Sequence, residues 1–456
     1  MRRWLCSVMM GVWCVSAPSY AAVPKVQTLN AASISGLLIE DHSVPMVTCH
    51  VRIRNAGSAY ESPDDAGLAS FTAKMLMEGA GDRDATAFHA HLDRYAIAMD
   101  SSASRDDMNI SFTSLSQYQE EAWHTVAAIM TQPRFDDAEW NRLRDRQYEA
   151  FKRAELQPSS RLSQAFIKTA FEGHPYGHPI NGTRATLERI TPDAMQDFLQ
   201  RVLARESMEV SCSGDVTVKQ LQGFLTKSMS DVPQTRTEPV APLQTIMLKN
   251  NKEPIFVQLD EPQTKILIAT PSIDRHHKLF YAAYVMNHIV GGGTLSSRLG
   301  EELREKRGLT YGVYSALRSL EYSPWFSVGF STQTQRATEG YEAALGVLRH
   351  VVEKGVSEQE LRAAQDYLTG SFALSLDSNS EKVAYLSLMQ RHKLGTDYLE
   401  KRNDHIRTVT LQDIQEAAKI AINLQQSLII WVGEKPYEPS TSNKKHTSTT
   451  HEPDSE

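Results

Sequence analysis

Apolar and polar residues alternate through two stretches between about residues 28 and 57, SISGLLIED and MVTCHVRIRNAGS. A period of two is the mark of half-buried strands, and the polar turn Asp41-His42-Ser43 separates them. The period then lengthens. Ser62-Pro63-Asp64-Asp65 is a helix start, with a Ser cap, a Pro in the first turn and a carboxylate three residues after the cap. Leu68, Phe71 and Met75 follow at helical spacing until Gly79 stops the run. Helices are predicted over RDATAFHAHLDRYA, YQEEAWHTVAAIM, DAEWNRLRDRQYEAFKRAEL and TPDAMQDFLQRVL. Strands are predicted over AMDSSASRDDMNISFTSL and SMEVSCSGDVT, with HPYGHPINGT as a loop.

The same order then recurs. Residues 233–251 are rich in Pro and poor in pattern, which suits a linker. Beyond them IFVQLD and KILIATPSI read as strands, LFYAAYVMNHIVG and LSSRLGEELREKRG as helices, and LTYGVYSALRSLEYSPWFSVGFST as a strand pair. TEGYEAALGVLRHVVEKG and SEQELRAAQDYLTGSFALSL are helical, TLQDIQEAAKIAI parallels TPDAMQDFLQRVL, and QQSLIIWVGEKP parallels SMEVSCSGDVT. The expectation is an α+β protein of two homologous domains in tandem, 22–232 and 252–437, each a mixed, mainly antiparallel sheet packed with helices. Residues 438–456 lack apolar anchors and are expected to be a disordered tail.

The chain's beginning adds a destination. Met1-Arg2-Arg3, the apolar run Trp4–Ala17 and the small residues of Ser19-Tyr20-Ala21 have the layout of a secretory signal over 1–21, with cleavage after Ala21 or Ala22. The expectation is a soluble, exported, periplasmic protein with no membrane partner. Processing leaves Cys49 and Cys212, both in strand-like segments; buried free thiols are the expected state, although the compartment permits a disulfide. A net charge of -7 without a Lys/Arg block excludes nucleic acid as a natural partner.

Four blocks then carry a resemblance. They are LIEDHSVPMVTCHVRIRNAGSAYESPDDAGLASFTAKMLMEGAG, HPYGHPINGT, SCSGDV and IVGGGTLSSRLGEELREKRGLTYGVYS. In this order, with the duplication, the chain resembles the insulinase/pitrilysin-type zinc peptidases, the group that includes the mitochondrial processing peptidases. The resemblance implies half of a two-part clamshell. Active members carry His-x-x-Glu-His on the first helix, where two imidazoles one turn apart ligate zinc and the Glu is the general base. Here those positions are Ser70, Ala73 and Lys74, and the later ligand position falls on Ala150, or on Glu149 with a shift of one residue. A Ser is a poor zinc ligand, Ala accepts no proton and a protonated Lys repels a dication. No metal is expected on this chain. His89 and His91, His174 and His178, and His276-His277 read as solvated or capping residues.

The second-domain block is retained. The resemblance implies that its Arg and Tyr, Arg304 and Tyr311 here, reach a facing catalytic centre, one to hold substrate carbonyls and the other to donate to an oxyanion. From spacing alone the two read as a solvated helix face and a half-buried strand aromatic. Gly291-Gly292-Gly293 would allow close approach at a helix start, to substrate or to the opposing domain; a tight structural turn accounts for them as well. The implied role is the non-catalytic subunit of a two-chain endopeptidase, inactive alone, with Zn2+ in a homologous catalytic partner and an extended peptide as substrate. The alternative is a proteolytically inert peptide-binding or scaffolding protein of the same fold.

Overall fold

The computed structural model describes residues 23–251 and 253–434. The leader over 1–21, its cleavage site and the tail over 438–456 lie outside the described residues.

The first half opens with β1 (Gln27–Ala31), β2 (Ile34–Glu40) and β3 (Met46–Arg54). Helix α1 (Leu68–Met75), the short pair β4 (Gly79–Ala80) and β5 (Arg83–Asp84), and α2 (Ala85–Arg94) follow. Then come β6 (Ala98–Ala103), β7 (Asp107–Leu115), α3 (Gln119–Thr131), α4 (Asp137–Glu155), α5 (Pro158–Ala170), α6 (Arg184–Leu187), α7 (Pro192–Val202), β8 (Met208–Gly214) and α8 (Val218–Ser228). The second half runs β9 (Ile255–Gln258), β10 (Gln263–Pro271), α9 (Phe280–Asn287), β11 (Val313–Leu320), β12 (Ser323–Gln333), α10 (Ala337–Lys354), α11 (Glu358–Gly370), α12 (Asn379–Arg391), α13 (Tyr398–Arg407), α14 (Leu411–Ala421) and β13 (Leu428–Gly433).

Among the described residues, beside the small β4-β5 pair, two large sheets result, in the orders β1-β2-β8-β3-β7-β6 and β11-β12-β10-β13-β9. Read from β2 and from β9, the two orders are the same. Each has one parallel pair, β2 with β8 and β13 with β9, among antiparallel neighbours. The expected α+β tandem is what the chain forms. Strand β1 is the addition that the sequence reading missed. It joins β2 through the two-residue turn Ala32-Ser33, both at positive φ (53° and 69°). Such a turn favours Asn-Gly, and Ala-Ser carries none of that signal.

One face of each sheet packs on its own half's helices. Val47, Cys49, Val51 and Ile53 of β3 lie in one core with Phe71, Trp123 and Phe198. Ile266 and Ile268 of β10 lie in a second with Met286, Leu348 and Ile414. The opposite faces are covered by exchange. Phe166 and Ala170 of α5, from the first half, pack with Leu267, Ala269, Leu428, Ile430 and Val432 of the second sheet. In return α12, from the second half, lies on the first sheet: Ser387 Oγ is 2.9 Å from His50 Nδ1, Ser213 Oγ donates to Asn379 Oδ1 at 3.1 Å, and Arg391 pairs with Asp107 at 2.9 Å. Lys382 also pairs with Asp41.

The expectation for the cysteines needs correcting. Cys49 and Cys212 form a disulfide. They are direct cross-strand partners in β3 and β8, with Cα atoms 4.2 Å apart, so each thiol faces the other inside the core. Sequence distance hid a register that only the sheet reveals. Among the described residues no helix is long and apolar enough to cross a membrane.

Candidate functional site

The first helix starts later and ends sooner than its sequence predicts. Ser62 Oγ accepts from Asp64 N at 3.3 Å, but this caps only a single 3-10 turn, Pro63–Asp65. Helix α1 begins at Leu68, after Gly67 at φ +104°, and closes at Met75. Its free amides go to Glu61, whose two carboxylate oxygens accept from Gly67 N at 2.8 Å and Ala69 N at 2.7 Å. Burial pushes the Glu61 carboxyl up to about 8, against the opposing pull of those two donors. Leu68, Phe71 and Met75 are buried, and the Phe71 ring meets Trp140 edge-on at 5.3 Å.

The loop quoted above as HPYGHPINGT seats itself on this helix. Gly182, at φ +68°, makes that possible, because a Cβ there would stand 2.3 Å from the carbonyl oxygen of Ala66. Thr186 Oγ1 donates to the same carbonyl at 2.7 Å. The seating carries Asn181 over α1. Ser70 Oγ and Lys74 Nζ both donate to Asn181 Oδ1, at 2.8 and 3.0 Å. Ala73 lies wholly buried beneath. The Lys74 ammonium sits 4.5 Å from the centroid of the Phe71 ring, and burial together with nearby Arg146 pushes its pKa down.

Lys74 and Ala150 line one cavity of about 640 Å3. Ala150 also lines a neighbouring cavity of about 770 Å3 together with Asn181. Glu149 stands at the first cavity but is exposed, with its carboxylate 2.6 Å from Lys152 Nζ. A hydroxyl held by an amide, a methyl group and an ammonium do not fit a divalent cation. Among the described residues no group of three or more His, Cys, Asp or Glu side chains could hold a metal ion.

The histidines divide. His174 Nδ1 accepts from Tyr176 N, and His277 Nδ1 accepts from Leu279 N, so both cap turns as expected. His91 departs from expectation: it is buried, 3.0 Å from Glu121 and 3.3 Å from Thr125.

The second group is built by one chain reversal. Gly300–Lys306 is a wide helical turn with Leu303 buried beneath it. Gly308, at φ +55°, ends it, and its N–H donates to Arg304 O at 3.1 Å. Arg336 donates to the carbonyls of Gly308 and Arg307, each at 3.3 Å, tying the reversal to α10. Upstream, Arg298 holds Glu360 through two hydrogen bonds of 2.6 and 2.8 Å, which keeps the Glu360 carboxyl down at about 2. Arg304 and Tyr311 do meet: the guanidinium carbon is 5.4 Å from the ring centroid. Tyr311 lies before the strand rather than on it, since β11 begins at Val313, and it is 92% exposed.

The three glycines end a helical segment instead of starting one, because His288–Gly292 continues α9. Gly291 is buried against this chain's own β11, where a Cβ would stand 2.6 Å from Ser315 N. The two groups are separate places on the molecule. The cavity beside Tyr311, about 480 Å3, shares no lining residue with those beside Ala150. Glu61 and Asn181 escaped the sequence reading, because Ser62 offered a more familiar cap and Asn181 sat in a stretch marked only as loop.

Comparison with known proteins bears on all of this. The family model described as "Insulinase (Peptidase family M16)" matches residues 37–184, and the one described as "Peptidase M16 inactive domain" matches residues 189–368. The "Non-peptidase homolog YmxG" of Helicobacter pylori is 24% identical over 384 residues, covering 84% of this chain and 87% of that one. The crystal structure of a peptidase M16 inactive domain from Pseudomonas fluorescens aligns with TM-score 0.81 at 24% identity, covering 91% of this chain and all of that one. The periplasmic protease PqqL from Escherichia coli aligns with TM-score 0.74 at 15% identity, covering 95% of this chain and 49% of that one.

Proposed function

The chain belongs to the insulinase family of peptidases, M16, as a member without the zinc motif, and on that premise we propose that it is the non-catalytic subunit of an exported, heterodimeric zinc endopeptidase. One contrast carries the reading. The metal positions hold Ser70, Ala73 and Lys74, tied up with Asn181, while Arg304 and Tyr311 stand together at the surface with the phenol in solvent. The Tyr311 ring meets Arg304, and at 92% exposure the side chain is open to a group outside the chain.

In this reading the partner is a homologue with an intact zinc motif, and the cofactor belongs to the partner. Arg304 holds backbone carbonyls of an extended peptide through its planar donors. The Tyr311 hydroxyl donates to the oxygen that gains charge as the scissile carbonyl is attacked. The peptide adds to a sheet edge. Export is supported by the leader-like start and by the buried disulfide, a bond that persists in oxidising compartments. PqqL, of the same fold, is described as periplasmic.

The test is purification of the complex from the native host, with metal analysis and a fluorogenic peptide assay. A one-to-one complex with a zinc-bearing homologue, active only when both chains are present, is the expected result. Arg304→Ala with Tyr311→Phe is expected to lower turnover of that complex by about 100-fold or more while assembly persists. Unchanged turnover, or a zinc-free complex without activity, would replace this reading with the scaffold.

A further inference from the structure

We propose that the 770 Å3 cavity beside the former metal helix binds the free C-terminal carboxylate of a peptide, with Asn181, Arg105 and Arg184 as its donors. The proposal rests on the reading that this fold half handles peptides, and it assigns a subsite that needs neither partner nor metal.

The first observation is the orientation of Asn181. An ammonium can only donate, so Lys74 fixes the Asn181 carbonyl oxygen toward α1, and Ser70 donates to that same oxygen. The amide nitrogen is therefore turned the other way, with both of its hydrogens free, and Asn181 lines the cavity. The two positions emptied of metal ligands now aim a hydrogen-bond donor. Ser70 and Lys74 are positioning residues in this arrangement.

The second observation is charge. A chain of net charge -7 gathers Arg105, Arg161, Lys168 and Arg184 around this cavity, against Glu155 as the carboxylate in its wall. Arg161, Lys168 and Arg184 have no carboxylate at ion-pair distance among the described residues. Arg105 is held by one nitrogen, Nη1, which donates to the carbonyls of Tyr176 and His178, the latter at 3.0 Å. Its remaining N–H groups are thereby preset. Cations gathered around a cleft attract an anion, and a guanidinium beside an amide matches the two oxygens of a carboxylate.

The third observation is the floor. Phe151, Ile167 and Ile180 are half-buried and face the same space. Apolar surface next to convergent donors suits an anion that carries side chains, and the volume falls within the usual range for a small ligand. A bare phosphate would leave that floor in water. A peptide end fills both parts.

The experiment is isothermal titration calorimetry on the isolated mature chain with acetyl-Ala-Leu-Phe, once as the free acid and once as the C-terminal amide. The acid is expected to bind at least about tenfold more tightly than the amide. Arg161→Glu with Arg184→Glu, one half-buried and one exposed position, is expected to remove binding of the acid while the thermal melt is kept. Asn181→Leu is expected to weaken the acid about tenfold and leave the amide unchanged. Equal affinity for acid and amide, inorganic phosphate binding as tightly as the acid, or no heat from either peptide at about 1 mM would each overturn the proposal. Because no partner or zinc is present, failure here leaves the mixed-complex assay standing, and failure there leaves this result standing.

Discussion

Helices α5 and α12 cross between the halves, and they bury their sheets with different chemistry, one mainly apolar and the other largely polar. Helix α5 lies on the second sheet through Phe166, with Phe171 beside it, against Leu267, Ala269, Leu428 and Ile430, a mainly apolar contact. Helix α12 lies on the first sheet largely through hydroxyls, amides and charges, with Leu386 and Met389 packing beside Ile39 of β2. Beneath it Arg52, 5% exposed, donates to Asp107 at 2.7 Å and to Glu209 at 2.8 Å. Along β3, Val47, Cys49, Val51 and Ile53 face the core while Thr48 and Arg52 are also buried, on the other side. The polar half of an alternating strand is thus an interface here, although the pattern alone assigns it to solvent. Homologous sheets need coverage on both faces, and the covering material is free to differ.

The comparison can be broken first on its apolar side. Phe171→Ala is expected to cost about 3–5 kcal/mol of stability by urea unfolding, nearly the same at pH 7 and pH 5, because a cavity carries no charge. A smaller effect is expected on the polar side. Asp107→Asn leaves Arg52 and Arg391 without their shared carboxylate and is expected to cost about 3 kcal/mol, in the lower part of the range for breaking a buried pair.

The mildest test sharpens the contrast through pH alone. Burial, and then the nearby Arg275 and Arg391, hold the His392 pKa down at about 4. His50 is likewise lowered by burial and by Arg391. For such a group the unfolded chain takes up its proton first, near 6.5, so stability falls as pH drops from there toward 4 and levels off below. Asp41, held low by its hydrogen bond from Lys382, adds a further loss below its ordinary value of 3.8. Glu61, held up near 8, contributes in the opposite sense, so the readout is a difference: across pH 4–7 the wild type is expected by calorimetry to lose stability relative to His392→Gln as pH drops. A slope unchanged by that substitution would place the acid sensitivity elsewhere.

Much of the architecture was legible because the duplication repeats a period of two and a period of 3.6 in the same order. Strands β2, β3, β8, β10 and the pair β11–β12 fall where alternation placed them. The two crossing helices were not read, and their chemistry explains why. Helix α12 buries Val383, Leu386 and Met389, but Asn379, Lys382, Ser387, Gln390 and Arg391 dock beside them, and these polar contacts blur the apolar stripe by which a helix is recognised. Helix α5 begins at Pro158 only three residues after α4 ends, and a helical reading of α4 ran straight into the loop beyond. At the candidate sites, residue types gave the loss of metal chemistry directly. The partner that occupies the vacated positions, Asn181, lies 111 residues from Ser70, and no spacing rule reaches that far.

The exchange of helices also sets a timetable. Asp41 and Lys382 are 341 residues apart, so at ~5–20 residues per second of synthesis the first sheet waits on the order of 20–70 s for the helix that covers it. During that interval much of its outer face is hydroxyls, an imidazole and charged groups that water satisfies, with Leu37 and Ile39 as its apolar part. Helix α5 meets Leu267 and Ala269 of β10 first, but the rest of its seat, Leu428, Ile430 and Val432, is on β13, the last strand of the second sheet. Both exchanged faces are thus completed only when nearly all of the second half has been made, the polar one by α12 and the apolar one by β13.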